Sequence, residues 1–421
     1  MKREKFGSRL GFILVSAGCA IGIGNVWKFP YLCGQMGGAA FILIYLVFLL
    51  IMGVPVMICE FAIGRGSHFS VAAAFEKLEP EGTRWHISKW IGILGSYLLM
   101  MFYCFRSIRG DFVGNSAEEV GAKFTKMLAD APNMAFWTIL ICVIGFAICW
   151  FGIQNGIEKV SKVMMSVLMV LMIILAVHSV FLKGAGAGIR FYLIPDFRKM
   201  AEIGIGNVFG AMSQAFFTLS IGIGAMMIFG SYLERNRSLA GEALSITGLD
   251  TFVALMAGFI IIPACFAFGI EPGAGPSLIF ITIPNIFSQM PGGQVWGALF
   301  FLFLTFAAFT TLVAVFENII SFDMDLFHWS RKKSVIISAI LIIILSMPCV
   351  LGFNILSGIQ PLGEGSTIMD LEDFIVSNNF LPLGSLGYLL FCTRENGWGW
   401  EKFLEEANTG EGTGFPKGLK G

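Results

Sequence analysis

Ten stretches of this 421-residue chain are apolar over about the length that crosses a bilayer as a helix, roughly 20 residues: 9–28, 39–63, 88–104, 134–152, 158–182, 203–231, 243–269, 294–321, 334–352 and 374–391. Charged residues make up only 13% of the chain, against about 25% in a soluble one, and the mean hydropathy is +0.79. A chain so patterned folds as an all-α integral membrane protein, because a helix satisfies its own backbone polar groups where no water can. We read residues 1–421 as one transmembrane domain. A further apolar stretch, 277–290, is short and broken by proline, and reads as a re-entrant or interfacial segment. The start, "MKREKFGSR", runs into a glycine-interrupted apolar run with no cleavable signal. The 28 basic and 28 acidic residues balance, so bulk charge points to no nucleic acid. The nine cysteines form no CxxC pair and read as packing residues. The four histidines are scattered and are given no role. No Ser/His/Asp or metal-ligand constellation is present, and the "GAGAG" loop at 184–188 lacks the strand–helix context of a nucleotide site, so an enzyme is not expected.

Orientation follows from the basic residues of the connections. With the N-terminus inside, 19 of the 28 lysines and arginines fall on the cytoplasmic side, including Arg65, Lys77, Arg84 and the run 331–333. Both termini are therefore expected in the cytoplasm of a cell carrying this multi-pass protein in its inner membrane. The polar, glycine-rich tail 393–421 is expected to be a loosely ordered cytoplasmic end.

Two spans carry helix-weakening breaks near their middles: "SAGCAIGIGNVWKFP" at 16–30 and "SQAFFTLSIGIGAMM" at 213–227. A break is costly in hydrocarbon unless it lines a polar cavity. Breaks in corresponding spans of two halves mark a transporter-type site at an inverted-repeat interface. The first and sixth of ten spans correspond in a five-plus-five repeat, here about 9–182 and 203–391. Asn25, Thr218, Ser220, Asp250, Thr310 and Thr311 supply hydroxyl, amide and carboxylate oxygens that suit a hard cation such as Na⁺, and freed N–H groups suit a carboxylate. Glu60, Asp250 and Glu317 are intramembrane acids, functional by default. "IGIGNV" occurs twice, at 21–26 and 203–208. The second copy lies about fifteen residues before the polar break and reads as helix packing. The functional counterpart of the first is the shorter 221–224.

In "RLGFILVSAGCAIGIGNVWKFPY", "GVPVMICEFAIGR", "SQAFFTLSIGIGAM", "LDTFVALMAGFIIIPACFAFG" and "TFAAFTTLVAVFEN" the chain resembles the neurotransmitter:sodium symporter family, and within it the bacterial amino-acid transporters of the leucine-transporter type. The resemblance implies sodium-coupled symport of an amino acid by alternating access. It implies two sodium sites: Ala20, Asn25, Thr218 and Asp250 with the substrate carboxylate, and Gly18, Ile21, Ala307, Thr310 and Thr311. Chloride-dependent relatives have asparagine at the Asp250 position, so no chloride requirement is expected. Substrate positions carried over are Cys19, Ala20, Gly24, Leu99, Tyr103, Phe217, Thr218, Ser220, Ile223, Thr311 and Val315. Monoamine transporters hold an aspartate at the position of Gly22. With glycine there, the substrate should bring its own carboxylate, and the apolar lining favours a hydrophobic or aromatic amino acid. Lys28 and Asp373 would form the outer gate with Gln214 beside it, and Arg3 would face Asp325 inside. Expected partners are the amino acid and the lipid bilayer, the chain being a monomer or weak homodimer.

The chain departs from the family twice. The third span turns polar at Arg106, where relatives continue for about a dozen residues, about 18 Å at the rise of a helix. Relatives also often continue into further spans after the tenth. These departures motivate a second reading, a non-transporting amino-acid or sodium binder that acts as a relic or sensor.

Overall fold

The computed structural model of the protein describes residues 4–22, 24–106, 126, 128–269, 283, 286–287 and 292–418, with the backbone alone at 98–106, 199, 200 and 203. The expected continuation of the third span beyond Arg106, and most of 277–290, lie outside the described residues.

The first span is split into α1 (Arg9–Ala20) and α2 (Phe29–Gln35), with a π-helical turn Gly24–Lys28 between them and a bend of 55°. The second runs through α3 (Ala39–Phe48), a second π-helical turn at Leu49–Gly53 and α4 (Val54–Ser67). A short α5 (Val71–Leu78) leads into α6 (Lys89–Arg106), the third span. The fourth and fifth are α7 (Ala131–Trp150) and α8 (Lys159–Val180), and α9 (Ala185–Leu193) and α10 (Phe197–Ile203) connect them to the sixth. The glycines of "GAGAG", read as a loop, in fact open α9. The sixth span is α11 (Ile205–Thr218) and α12 (Ala225–Ser231), separated by the turn 219–224. The seventh to ninth are α13 (Leu239–Ala267), α14 (Gly293–Phe327) and α15 (Arg331–Leu351). The tenth joins α16 (Ile368–Ile375) and α17 (Leu381–Thr393) through a π-helical turn, and α18 (Trp400–Asn408) follows it. Every apolar run named from sequence thus holds a helix or a helix pair among the described residues.

Burial sorts these helices into a centre and a belt. The α13 and α14 spans are the most buried of the long apolar helices described, whereas only 33–39% of the most apolar stretch of the spans holding α7, α8 and α15 is buried. Val163, Val170, Ile344, Phe136, Leu50 and Ile51 are exposed on that outer belt, as lipid-facing side chains must be when the solvent is hydrocarbon. At the centre, α1 packs on α8, α13 and α14, and α12 on α4. The two split spans therefore meet inside a ring of whole ones.

Two expectations are corrected. The copy of "IGIGNV" at 203–208 is no packing motif. Gly204 is the turn that starts α11, an added Cβ at Gly204 or Gly206 would meet nothing within 4 Å, and Ile205 is 87% exposed. These glycines therefore bring no second helix close among the described residues, although Asn207 beside them is buried. The tail is not loosely ordered either. Trp398, Phe403, Ala407 and Phe415 are buried, and α18 packs on α4 and α13. Arg65, completely buried at the end of α4, explains why: its Nε donates to Glu406 Oε1 at 2.6 Å, its Nη1 to the Arg237 carbonyl at 2.7 Å, and its Nη2 to the Glu406 carbonyl. Arg235 Nη2 reaches the other Glu406 oxygen at 2.7 Å. A buried guanidinium needs acceptors on several sides, and the tail supplies them. The polar, glycine-rich composition of 393–421 concealed this, although Trp400, Phe403, Leu404 and Ala407 recur at helical spacing within it.

Candidate functional site

The two breaks face each other at the centre. Helix α1 ends where the Ile21 N–H donates to the Ala17 carbonyl, and the chain resumes with Asn25 N–H bonded to the Gly22 carbonyl at 3.1 Å. In the sixth span the helix unwinds through left-handed backbone at Ser220 (φ 50°), Gly222 (φ 94°) and Gly224 (φ 76°). Glycine takes such φ without penalty. Ser220 is held there by its own hydroxyl, which donates to the Cys19 carbonyl across the site at 3.1 Å.

Unwinding frees backbone groups, and Glu60 of α4 takes two of them. Its Oε1 accepts from Gly222 N–H at 2.6 Å and its Oε2 from Met226 N–H at 3.1 Å. Sequence reasoning flagged Glu60 as an intramembrane acid without this partner. The other acid, Glu317, is likewise fully buried, but pairs with Arg331 at 2.5 and 3.0 Å and accepts from the Tyr232 hydroxyl at 2.8 Å.

One cluster of oxygens joins the breaks to α13. Asn25 Nδ2 donates to Thr218 Oγ1 at 3.0 Å and to Asp250 Oδ1 at 2.8 Å, and Thr218 Oγ1 donates to Asp250 Oδ2 at 2.9 Å. Asn25 Oδ1 accepts from Gly22 N–H at 3.2 Å. All three side chains are buried. A second cluster joins α1 to α14. Thr311 Oγ1 lies 3.0 Å from the Gly18 carbonyl, 3.1 Å from that of Ile21 and 3.4 Å from that of Ala307. Thr310 Oγ1 sits 3.1 Å from the Ala307 carbonyl. Helices α1 and α14 approach closely here, since a Cβ on Gly18 would lie 3.2 Å from that of Thr310. The second cluster is an all-oxygen set of hydroxyls and carbonyls, the chemistry a hard cation selects; in the first, Thr218 and Asp250 offer oxygens while Asn25 turns its Nδ2 toward them and its Oδ1 to the Gly22 N–H.

Between the clusters Phe217 closes on Gly24, where a Cβ would meet the ring at 2.5 Å. Ile223 and Val315 are fully buried. The side chains of Leu99 and Tyr103 lie outside the described residues. Lys28 Nζ is 3.3 Å from Asp373 Oδ1, 3.2 Å from Ser377 Oγ and 4.1 Å above the Phe217 ring. Gln214 Nε2 donates to the Gly24 carbonyl at 3.4 Å. Asp325 Oδ2 accepts from Ser70 N–H at 2.7 Å and from its hydroxyl. Its expected partner Arg3 lies outside the described residues.

The family profile described as "Sodium:neurotransmitter symporter family" matches residues 3–110 and 118–361. The chain belongs to the sodium:neurotransmitter symporter family. It is 34% identical over 405 residues to an uncharacterized sodium-dependent transporter, YhdH, of Bacillus subtilis (strain 168), covering 93% of this chain and 87% of the relative. It is 26% identical to the mouse sodium- and chloride-dependent GABA transporter 2, over 91% of this chain and 71% of that one. Among solved structures, MhsT in complex with L-phenylalanine superposes with a TM-score of 0.87 at 38% identity, over 96% of this chain and 93% of that one. Like its symporter relatives, the protein is a multi-pass sodium-dependent transporter with the leucine-transporter fold, and not an enzyme. Its five-plus-five inverted repeat accounts for the facing breaks.

Proposed function

We propose that the protein drives uptake of a hydrophobic or aromatic amino acid with the sodium gradient, without chloride, from a site between the two breaks. The observation that carries this reading is the buried Asn25–Thr218–Asp250 cluster. Asp250 brings a fixed negative charge to the first site, so no chloride is needed to balance the cation. Ala20 completes that site, and Gly18, Ile21, Ala307, Thr310 and Thr311 hold the second ion. Bound sodium supplies positive charge opposite the substrate carboxylate. The substrate lies against Cys19, Gly24, Phe217, Ser220, Ile223, Thr311 and Val315, with Leu99 and Tyr103 on the third span. Gly22 leaves space where an amine substrate would need a carboxylate. That a solved relative, MhsT, is in complex with L-phenylalanine supports an apolar substrate. Lys28, Asp373 and Gln214 act as the outer gate, and Arg3 and Asp325 as the inner one. Both termini face the cytoplasm across the inner membrane.

The test is uptake of a panel of labelled amino acids by purified protein in liposomes. Accumulation of apolar amino acids only with an inward sodium gradient, unchanged when gluconate replaces chloride, is expected. Uptake that collapses without chloride overturns the role given to Asp250. Sodium-dependent binding with no accumulation replaces transport by the binder reading.

A further inference from the structure

The turn 219–224 is held by more than the ion sites. Glu60 takes its N–H groups on one side. On the opposite side the Ile223 carbonyl accepts from Ser96 Oγ at 3.4 Å, and Asn318 Nδ2 donates to that same Ser96 oxygen at 3.1 Å. Ser96, Ile223 and Asn318 are all completely buried.

Ser96, like Ser179 of α8, which donates to the Ile260 carbonyl of α13 at 2.7 Å, spends its hydroxyl outside its own helix. The default is to donate back to the carbonyl one turn earlier. Ser245 does so to Gly241 at 2.8 Å, and Ser346 to Ile342 at 2.7 Å. Ser96 instead donates out of α6 into the break, while Asn318 of α14 occupies its lone pair. A hydroxyl that accepts one bond becomes a better donor in the next. The approach that permits this is made by two glycines of α6. A Cβ on Gly92 would lie 2.9 Å from the Ile223 carbonyl oxygen, and one on Gly95 would lie 2.6 Å from Ile223 Cγ2. Ser96 precedes Leu99 by one turn, and Asn318 follows Val315 by one turn.

We propose that Ser96 and Asn318 are positioning residues of the transport site: a relay from α14 through α6 to the Ile223 carbonyl that fixes the Ile223 wall of the substrate pocket. The inference rests on the reading that substrate lies between the two breaks. Neither residue touches the Asn25–Thr218–Asp250 or Thr311 clusters through any hydrogen bond found among the described residues. The relay therefore acts on substrate affinity and leaves sodium affinity alone.

The experiment compares Ser96→Ala, Asn318→Leu, the double variant and Ser96→Thr in liposomes, using sodium-driven uptake of labelled phenylalanine. Sodium titration of intrinsic tryptophan fluorescence without substrate reports the ion sites. Each single variant is expected to raise KM about fivefold to tenfold, the loss of roughly one net hydrogen bond, with kcat and the sodium half-saturation kept. The double variant should be no worse than the poorer single one, because a relay is broken once. Ser96→Thr, which keeps the hydroxyl, should restore KM. If Ser96→Ala does not fold, Ser96→Cys replaces it. Unchanged KM in the single variants, additive losses in the double, or a sodium half-saturation that shifts with KM each overturns the positioning role. A wild-type protein that responds to sodium but accumulates none of a panel of apolar amino acids refutes the substrate reading itself, and the relay with it.

Discussion

The proposed ion requirement turns on one side chain, Asp250. Its two carboxylate oxygens accept from Asn25 and Thr218 at 2.8 and 2.9 Å in a fully buried setting. Hydrogen bonds to a charged group contribute about 1.5–3 kcal/mol each. Asp250→Asn keeps the shape and removes the charge, so the sodium half-saturation of uptake should rise at least about tenfold. A sodium titration that superposes on wild type rejects the assignment. Asn25, Thr218 and Asp250 were legible in the sequence because polar residues are rare in apolar runs, and the first two fall beside the breaks. The partner of Glu60 was not. Nothing in a residue's spacing says which freed N–H, some 160 positions away, its carboxylate will meet. Glu60→Gln retains one acceptor oxygen but leaves the second amide position facing an N–H donor. A fall of several degrees in thermal midpoint is expected, from a cost of about 1–3 kcal/mol. A midpoint equal to wild type would show that the carboxylate does not hold the break.

At the scale of elements, the two glycine pairs of the sixth span behave oppositely. Gly222 has φ 94°, and a Cβ there would lie 2.1 Å from the Leu381 carbonyl oxygen of α17. Gly206 has open space around it. Gly222→Ala should abolish uptake, whereas Gly206→Ala should leave it within about twofold. Equal effects in a side-by-side uptake assay would reject this picture of the break. The sequence repeat was visible; which copy bends against a neighbour depended on how α17 packs. The tail shows the same limit in the other direction. Its helix α18 places Trp400, Phe403, Leu404 and Ala407 on one face, at i, i+3, i+4 and i+7, but no spacing says that Arg65 will be buried against Glu406 as a pair. Removing one partner of such a pair costs about 3–5 kcal/mol. Glu406→Gln should therefore lower the thermal midpoint in detergent clearly more than the exposed control Glu401→Gln. Similar midpoints for the two would mean the tail is not clamped.

For the whole molecule, the basic bias of the connections sets the topology. The exposed Glu81, between the second and third spans, is expected inside, and the exposed Gln360, between the ninth and tenth, outside. In intact cells a membrane-impermeant maleimide should label Gln360→Cys above the parent protein, and Glu81→Cys only after permeabilisation. The reverse pattern would invert the orientation. The sequence by itself determined that the chain is all-α, spans a membrane about ten times and breaks its first and sixth spans. Hydropathy over about 20 residues is a local property, and bilayer thickness makes it decisive. The expected ion-site residues came from the resemblance: Gly18 to Asn25 and Thr218 flank the breaks, whereas Asp250 and Ala307 to Thr311 lie on other spans. Only the tertiary structure decided what those breaks lean on: Glu60, Ser96 with Asn318, and the α17 backbone for the sixth span, and the buried Arg65 for the tail. These partners are polar groups from distant spans, brought together because a buried N–H, carbonyl or guanidinium in hydrocarbon must find a partner wherever the packing offers one.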